Sequence, residues 1–243
     1  MLVSAARTPD HLATMVDRRS AGFPLEQLLG WAEFCGLRIA VDPGVFVPRR
    51  RTGFLVDQAA AVARHATAMA RQAGTERRCV IVDLCCGSGA VGAALLAVLD
   101  GIELSAADID PGAVRCARRN IAARGQVYQG DLYEPLPAAL RGHIDVLVAN
   151  APYVPTEAIG LMPPEARIHE PRVALDGGAD GLDVQRKVIA HAPRWLAPGG
   201  HLLVETSEDQ APRTVGMFAQ SGLTARVANS AELDATVVIG SLE

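Results

Sequence analysis

Between Val80 and Gly89 the chain reads Val-Ile-Val-Asp-Leu-Cys-Cys-Gly-Ser-Gly. An apolar, β-branched run ending at Asp83 fits a strand buried on both faces. Gly87 and Gly89 fit a tight turn, and Ala90-Val91-Gly92-Ala93-Ala94-Leu95-Leu96 a helix start. A strand buried on both faces belongs to a parallel sheet, because crossover connections put cover on both sides. The turn constrains function as well as fold. Glycine lets a ligand approach bare backbone, beside the unpaired N–H groups of the following helix.

The same strand and helix alternation continues downstream. Candidate strands are Cys79–Leu84, Glu103–Ala107, Gln126–Gln129, Ile144–Val148 and His201–Glu205, with helices at Ala90–Leu99, Pro111–Arg124 and Val184–Leu196. A helix over Gln210–Ser221 and two closing strands, Thr224–Ala228 and Thr236–Gly240, add a hairpin-like antiparallel edge. Short connections between alternating elements predict an α/β, doubly wound, mostly parallel sheet of seven strands.

Upstream, Thr8-Pro9-Asp10 carries the marks of a helix start, and a second helix is expected over Pro24–Phe34, ending near Gly36. Leu37–Val41, the turn Asp42-Pro43-Gly44 and Val45–Val47 read as a hairpin. Leu55, Val56, Ala59, Val62, Ala63 and Ala66 mark a long helix closing at Gly74. The expected division is a short helical N-terminal lobe over 1–36, a hairpin linker over 37–48 and the α/β domain over 49–243. The run Arg49-Arg50-Arg51 reads as a solvated face, with contact to an anionic group or a protein partner as the alternative.

In a doubly wound sheet ligands bind beyond the carboxyl ends of the strands, so the residues there carry the functional information. Asp108 stands roughly 20 residues past Gly89 at the second strand end, where a carboxylate can accept both ribose hydroxyls of a nucleoside cofactor. Its neighbour Asp110, ahead of Pro111, is read as a helix cap. At the third strand end Asp131 can accept from an adenine amino group while Leu132 packs the ring. Asn150-Ala151-Pro152-Tyr153 follows the fourth. The Asn150 side-chain oxygen and the Ala151 carbonyl can each accept one N–H of a planar –NH2 group, with Pro152 stiffening the turn and Tyr153 offering a ring.

On these residues the chain resembles the class I S-adenosylmethionine-dependent methyltransferases, and within them the protein N5-glutamine methyltransferases that act on release factors. The resemblance runs from about Arg18 through Gly22-Phe23-Pro24-Leu25, Pro43-Gly44-Val45, Val47-Pro48-Arg49, Asp83-Leu84, Gly87-Ser88-Gly89, Gly130-Asp131-Leu132 and Asn150 to Tyr153. It continues through Glu170-Pro171-Arg172, Asp180-Gly181-Leu182-Asp183 and Pro198-Gly199-Gly200. It implies S-adenosylmethionine as cofactor, leaving as S-adenosylhomocysteine, held by Asp83, Cys85, Cys86, Gly87, Ser88, Gly89, Asp108, Ile109, Asp131, Leu132 and Asn150. It implies an acceptor gripped by Asn150, Ala151, Pro152 and Tyr153, and a protein substrate carrying an exposed glutamine, such as a release factor. Cys85 replaces the family's first turn glycine, Ala151 the first proline of its Asn-Pro-Pro-Tyr signature, and Arg50, Arg51 and Gly53 a Pro and two Glu. The helical stretch at the N-terminus is shorter than that family's helical domain.

Other function classes fit less well. A net charge of −4 argues against a duplex-binding surface. Six scattered histidines show no metal-ligand spacing, so no metal is expected. Ser88 lacks the glycine of a nucleophile elbow, and Asp176, Asp180 and Asp183 do not match a calcium loop. Five cysteines, an odd number without Cys-x-x-Cys, point to a reduced, cytoplasmic setting, and no apolar run suits a membrane span. Methylation of a nucleobase amine or a small molecule, and cofactor binding without catalysis, are the competing readings.

Overall fold

The computed structural model describes every residue except Ala73, Glu76 and the side chain of Ala122. The chain opens with α1 (Leu2–Ala5) and α2 (Pro9–Ser20), the latter capped as expected by the Thr8 hydroxyl, which accepts from His11 N at 3.1 Å. Helix α3 is shorter than its sequence suggests. It spans Leu25–Leu29 and stops at Gly30, whose φ of +78° places it in the left-handed region that closes helices.

The segment expected to continue that helix is instead a strand. β1 (Trp31–Phe34) pairs antiparallel with β2 (Leu37–Ala40) across Cys35 and Gly36, which have φ of +49° and +76°. Two consecutive positive φ values make the two-residue turn whose twist matches a hairpin. Ala32, Phe34 and Ile39 face inward. The Arg38 guanidinium lies 4.1 Å from the Trp31 ring centroid, and Glu33 stands opposite Arg38. The expected hairpin over 37–47 therefore lies one strand too late. The turn at Asp42-Pro43-Gly44 does form, with Val45 N donating to Asp42 O, but the chain beyond it makes no strand.

Helix α4 (Gly53–Gln72) buries Leu55, Val56, Ala59, Ala60 and Ala63 along one face. There follow β3 (Cys79–Leu84), α5 (Ala90–Val98), β4 (Ile102–Asp108), α6 (Pro111–Ile121), β5 (Gly125–Gln129) and β6 (Ile144–Ala149). The chain ends with α7 (Pro164–His169), α8 (Asp183–His191), β7 (Leu196–Thr206), α9 (Ala211–Gln220), β8 (Thr224–Ser230) and β9 (Ala235–Ser241). The sheet order is β5-β4-β3-β6-β7-β9-β8; β3 to β7 are parallel, and β9 runs antiparallel to both its neighbours. This is the doubly wound, seven-stranded sheet with an antiparallel edge that the alternation predicts.

One core layer packs Ile81, Leu104, Ala106, Val146 and Val148 against α4, α5, α6 and the β1–β2 hairpin. The other packs Val82, Leu84, Leu147 and Val204 against Trp195, Tyr133 and residues of α8 and α9. β6 is buried at all six positions, as a central parallel strand must be. Among the described residues no helix is long and apolar enough to cross a membrane.

Candidate active site

Parallel register decides which residues leave the sheet together. Leu84 pairs with Ala107 on one side and Ala149 on the other, Asp108 pairs with Gln129, and Ala149 pairs with Val204. Cys85, Asp108, Gly130, Asn150 and Glu205 therefore emerge side by side at the carboxyl edge. The strand order reverses between β3 and β6, the position where such sheets open a crevice. A cavity of about 310 Å³ lies there, lined among others by Cys85, Gly87, Asp108, Leu132, Asn150 and Tyr153.

At one end the glycine turn sets the geometry. Gly87 has φ +55°, and a Cβ built on it meets no atom within 4 Å, so its bare backbone faces open space. Gly89 serves a different purpose: a Cβ there would lie 2.9 Å from Ala117 Cβ, so glycine lets α5 and α6 approach. It stands behind the cavity wall, whereas Asp83, Cys85, Cys86, Ser88, Ile109, Asp131 and Leu132 line it. Cys85 holds φ +55° without being glycine. A left-handed backbone angle is therefore what this position demands. Left-handed backbone costs a β-carbon residue about 1 kcal/mol. Cys85→Gly is accordingly expected to raise the thermal unfolding midpoint by a few degrees; a lower midpoint would mean that packing of the thiol outweighs the strain.

Asp83 lies beneath this turn, its Oδ2 accepting from Gly92 N at 3.0 Å. Burial pushes its carboxyl up to about 7 against the pull of that amide, and the charge of nearby Asp108 adds to the rise. Asp108 accepts from Gly87 N at 2.8 Å and from Asp110 N at 2.9 Å, one partner on each oxygen. Burial raises its carboxyl as well, opposed by those two amides. Asp110 caps α6 through Ala113 N at 2.7 Å, as its sequence position suggested.

The other end of the cavity is built around Asn150. Its Nδ2 donates to the buried Thr52 hydroxyl at 3.2 Å, which leaves Oδ1 to accept. Ala151, Pro152 and Tyr153 line the same hollow, and among the described residues no hydrogen bond is donated to the Ala151 carbonyl. The loop is braced from behind. Gln210 Nε2 donates to Tyr153 O at 3.0 Å and to Asp180 O at 3.2 Å, and a Cβ at Gly181 would strike Tyr153 O at 2.3 Å. The Asp180-Gly181 turn thus exists to let this loop pass.

The arginine run is more than a solvated face. Arg49 pairs with the buried Glu170 at 2.5 Å, while Arg51 donates to the Tyr153 hydroxyl at 2.6 Å and lies 3.6 Å from Glu205 Oε1. Arg50 is exposed. The helical lobe reaches the site through the same region. Phe23 stacks on His169 with centroids 4.0 Å apart, and Gln27 Nε2 donates to Val45 O at 3.0 Å. The first contact braces the end of α7, and the segment that follows places Pro171, Val173 and Leu175 in the cavity wall. Sequence reading missed Thr52, Phe46 and Glu205. The strand-end rule, carried on to β7, would have reached Glu205; nothing local marked the other two. Among the described residues no group of three or more metal-ligating side chains converges.

The methyltransferase small domain family matches residues 37–232. A relative from Geobacter sulfurreducens, a release factor glutamine methyltransferase, is 39% identical over 88% of this chain and 72% of its own length. One of the same description from Gloeobacter violaceus is 38% identical over 87% of this chain and 71% of its own. Among solved structures, a T. thermophilus 16S rRNA methyltransferase in complex with AdoMet and guanosine superposes with a TM-score of 0.57 at 20% identity, covering 88% of this chain and 50% of that one.

Proposed function

The chain belongs to the release factor glutamine methyltransferase family and is an S-adenosylmethionine-dependent methyltransferase, and we propose that its methyl acceptor is the side-chain amide of a glutamine in a release factor, gripped by Asn150 and Ala151. The observation that carries this reading is the commitment of Asn150 Nδ2 to Thr52. It turns the amide so that an oxygen, not an N–H, serves the hollow shared with the glycine turn and Asp108.

The residues present fit the cofactor. Gly87 offers a stretch of backbone that a side chain would fill, and beside it stands the half-buried Asp108 carboxylate, whose oxygens each keep a free lone pair. Asp108 would hold the ribose hydroxyls, Asp131 the adenine amino group, and Leu132 and Ile109 its ring. When bound, the cofactor supplies a methyl group on a positively charged sulfur and leaves as S-adenosylhomocysteine.

An amide nitrogen is a weak nucleophile because its lone pair is shared with the carbonyl. The Asn150 and Ala151 oxygens would each accept one of its N–H bonds, fixing its direction and favouring positive charge as it grows there. This is positioning plus electrostatic preorganisation, each contact worth about 3 kcal/mol in the transition state. The methylated nitrogen then releases one of those two protons to water, and because an N-protonated amide is a strong acid no strong base is needed. Tyr153 would pack the acceptor amide and Pro152 would hold the loop.

The test is transfer of labelled methyl to a release factor, set beside pools of nucleic acid and metabolites. Label is expected on the release factor, on one glutamine located by mass spectrometry, and lost when that glutamine is changed to glutamate. Label on nucleic acid alone would move the acceptor to a nucleobase amine.

A further inference from the structure

Behind the Asn150 loop sits a buried carboxylate that the reaction itself does not require. Glu205, 2% exposed at the end of β7, has neither carboxylate oxygen in an aligned hydrogen bond, although both are shut off from solvent. A charge left this way is costly, so its presence asks for an explanation. Its surroundings are specific. Burial raises its carboxyl above the ordinary carboxylate range, and Thr52, Arg51 and Tyr153, which lie beside it, pull the other way. Arg51 Nε is 3.6 Å from Oε1, and the same arginine donates to the Tyr153 hydroxyl at 2.6 Å. On its other side β9 presents only Val237, and α8 touches its backbone carbonyl through Gln185 Nε2.

Donors and acceptors in this cluster can be counted. An ionised carboxylate only accepts; a threonine hydroxyl has one proton to give; an asparagine amide can present either its oxygen or its NH2. With Glu205 charged, the Thr52 proton turns toward it, and the Thr52 oxygen is left to accept. Asn150 must then offer Nδ2, the contact seen at 3.2 Å, and Oδ1 is forced to the opposite side. Were the carboxylate neutral, Thr52 could give its proton to Asn150 instead, and the amide could turn over. An NH2 would then oppose the N–H groups of an acceptor.

We propose that Glu205 and Thr52 are positioning residues that fix the Asn150 amide with its oxygen toward the methyl acceptor. Arg51 favours the charged carboxylate against burial and ties Tyr153 to the same anchor. The proposal rests on the acceptor role of Asn150 given above.

The experiment measures kcat at saturating release factor, and S-adenosylmethionine affinity by calorimetry, in Glu205→Gln, Thr52→Val, Thr52→Ser and the Glu205→Gln/Thr52→Val double variant. Glutamine and valine keep the shapes, so folding is checked by an unchanged thermal midpoint. Glu205→Gln and Thr52→Val are each expected to lower kcat on the order of ten- to hundredfold, as misdirection of a reacting group does, with cofactor affinity unmoved. Thr52→Ser, which restores the hydroxyl, recovers most of the loss. The double variant is no worse than the poorer single one, because both interrupt one relay. Wild-type kcat in either single variant, or losses that multiply, overturns the relay while leaving the acceptor role of Asn150 standing. Full turnover in Asn150→Ala overturns both.

Discussion

Asn150→Ala is expected to lower single-turnover methyl transfer by about two to three orders of magnitude, with the Kd for S-adenosylmethionine changing by no more than about threefold. In the proposed mode the side chain supplies one of the two oxygens that accept from the acceptor amide, and its contact strengthens as charge builds on nitrogen. Its removal therefore acts on the transition state more than on the ground state. Asn150 also lines the same cavity as the glycine turn and Asp108, which accounts for a small effect on binding. Calorimetry and a quenched single-turnover assay separate the two. Unchanged turnover rejects the role outright. A loss confined to cofactor affinity would move Asn150 from the acceptor to the cofactor.

Asp108→Ala carries the second large effect, an increase in the S-adenosylmethionine Kd of about a hundredfold. Two hydrogen bonds from ribose hydroxyls to a charged acceptor are together worth roughly 3 kcal/mol. Part of the loss runs through the turn, since the same carboxylate holds the amides of Gly87 and Asp110. The unfolding midpoint measured without cofactor isolates that part. A lower midpoint with unaltered Kd would make Asp108 a brace for the loop and nothing more.

The wild-type protein should show a matching pH dependence. Burial raises the Asp108 carboxyl above the ordinary carboxylate range. As pH falls through that raised value the carboxylate gains a proton, can no longer accept from both hydroxyls, and affinity drops. Asp83, held up near 7, has the opposite effect on the empty protein. Its folded pKa lies above the unfolded one, so the stability it contributes is present in acid and is lost as pH rises from about 4 toward 7. Acid therefore weakens cofactor binding while the contribution of Asp83 to the fold is retained.

Local pattern determined most of the architecture. Six of the seven sheet strands were legible to within two residues at either end, because a buried parallel strand is a continuous apolar run bounded by turn residues. The seventh, β7, begins five residues before its expected start at His201, since Leu196 pairs with Ile144 ahead of an irregularity in register. The β1–β2 hairpin was missed because Leu25 to Phe34 fits helical spacing. Gly30 ends the helix there, and Cys35-Gly36 supplies a hairpin turn that lacks the usual asparagine or aspartate.

The division between what the sequence determined and what the tertiary structure decided is physical. Asp83, Asp108, Asp131 and Asn150 could be named from the chain alone, because each lies at or within two residues of the carboxyl end of its own strand and the register of a parallel sheet places neighbouring strand ends side by side. The partners of the buried polar groups could not. Thr52 reaches Asn150 from 98 residues away, and Gln210 reaches Tyr153 from 57. A hydrogen bond between such residues leaves no periodicity in the chain, so only folding reveals which side of the Asn150 amide faces the hollow.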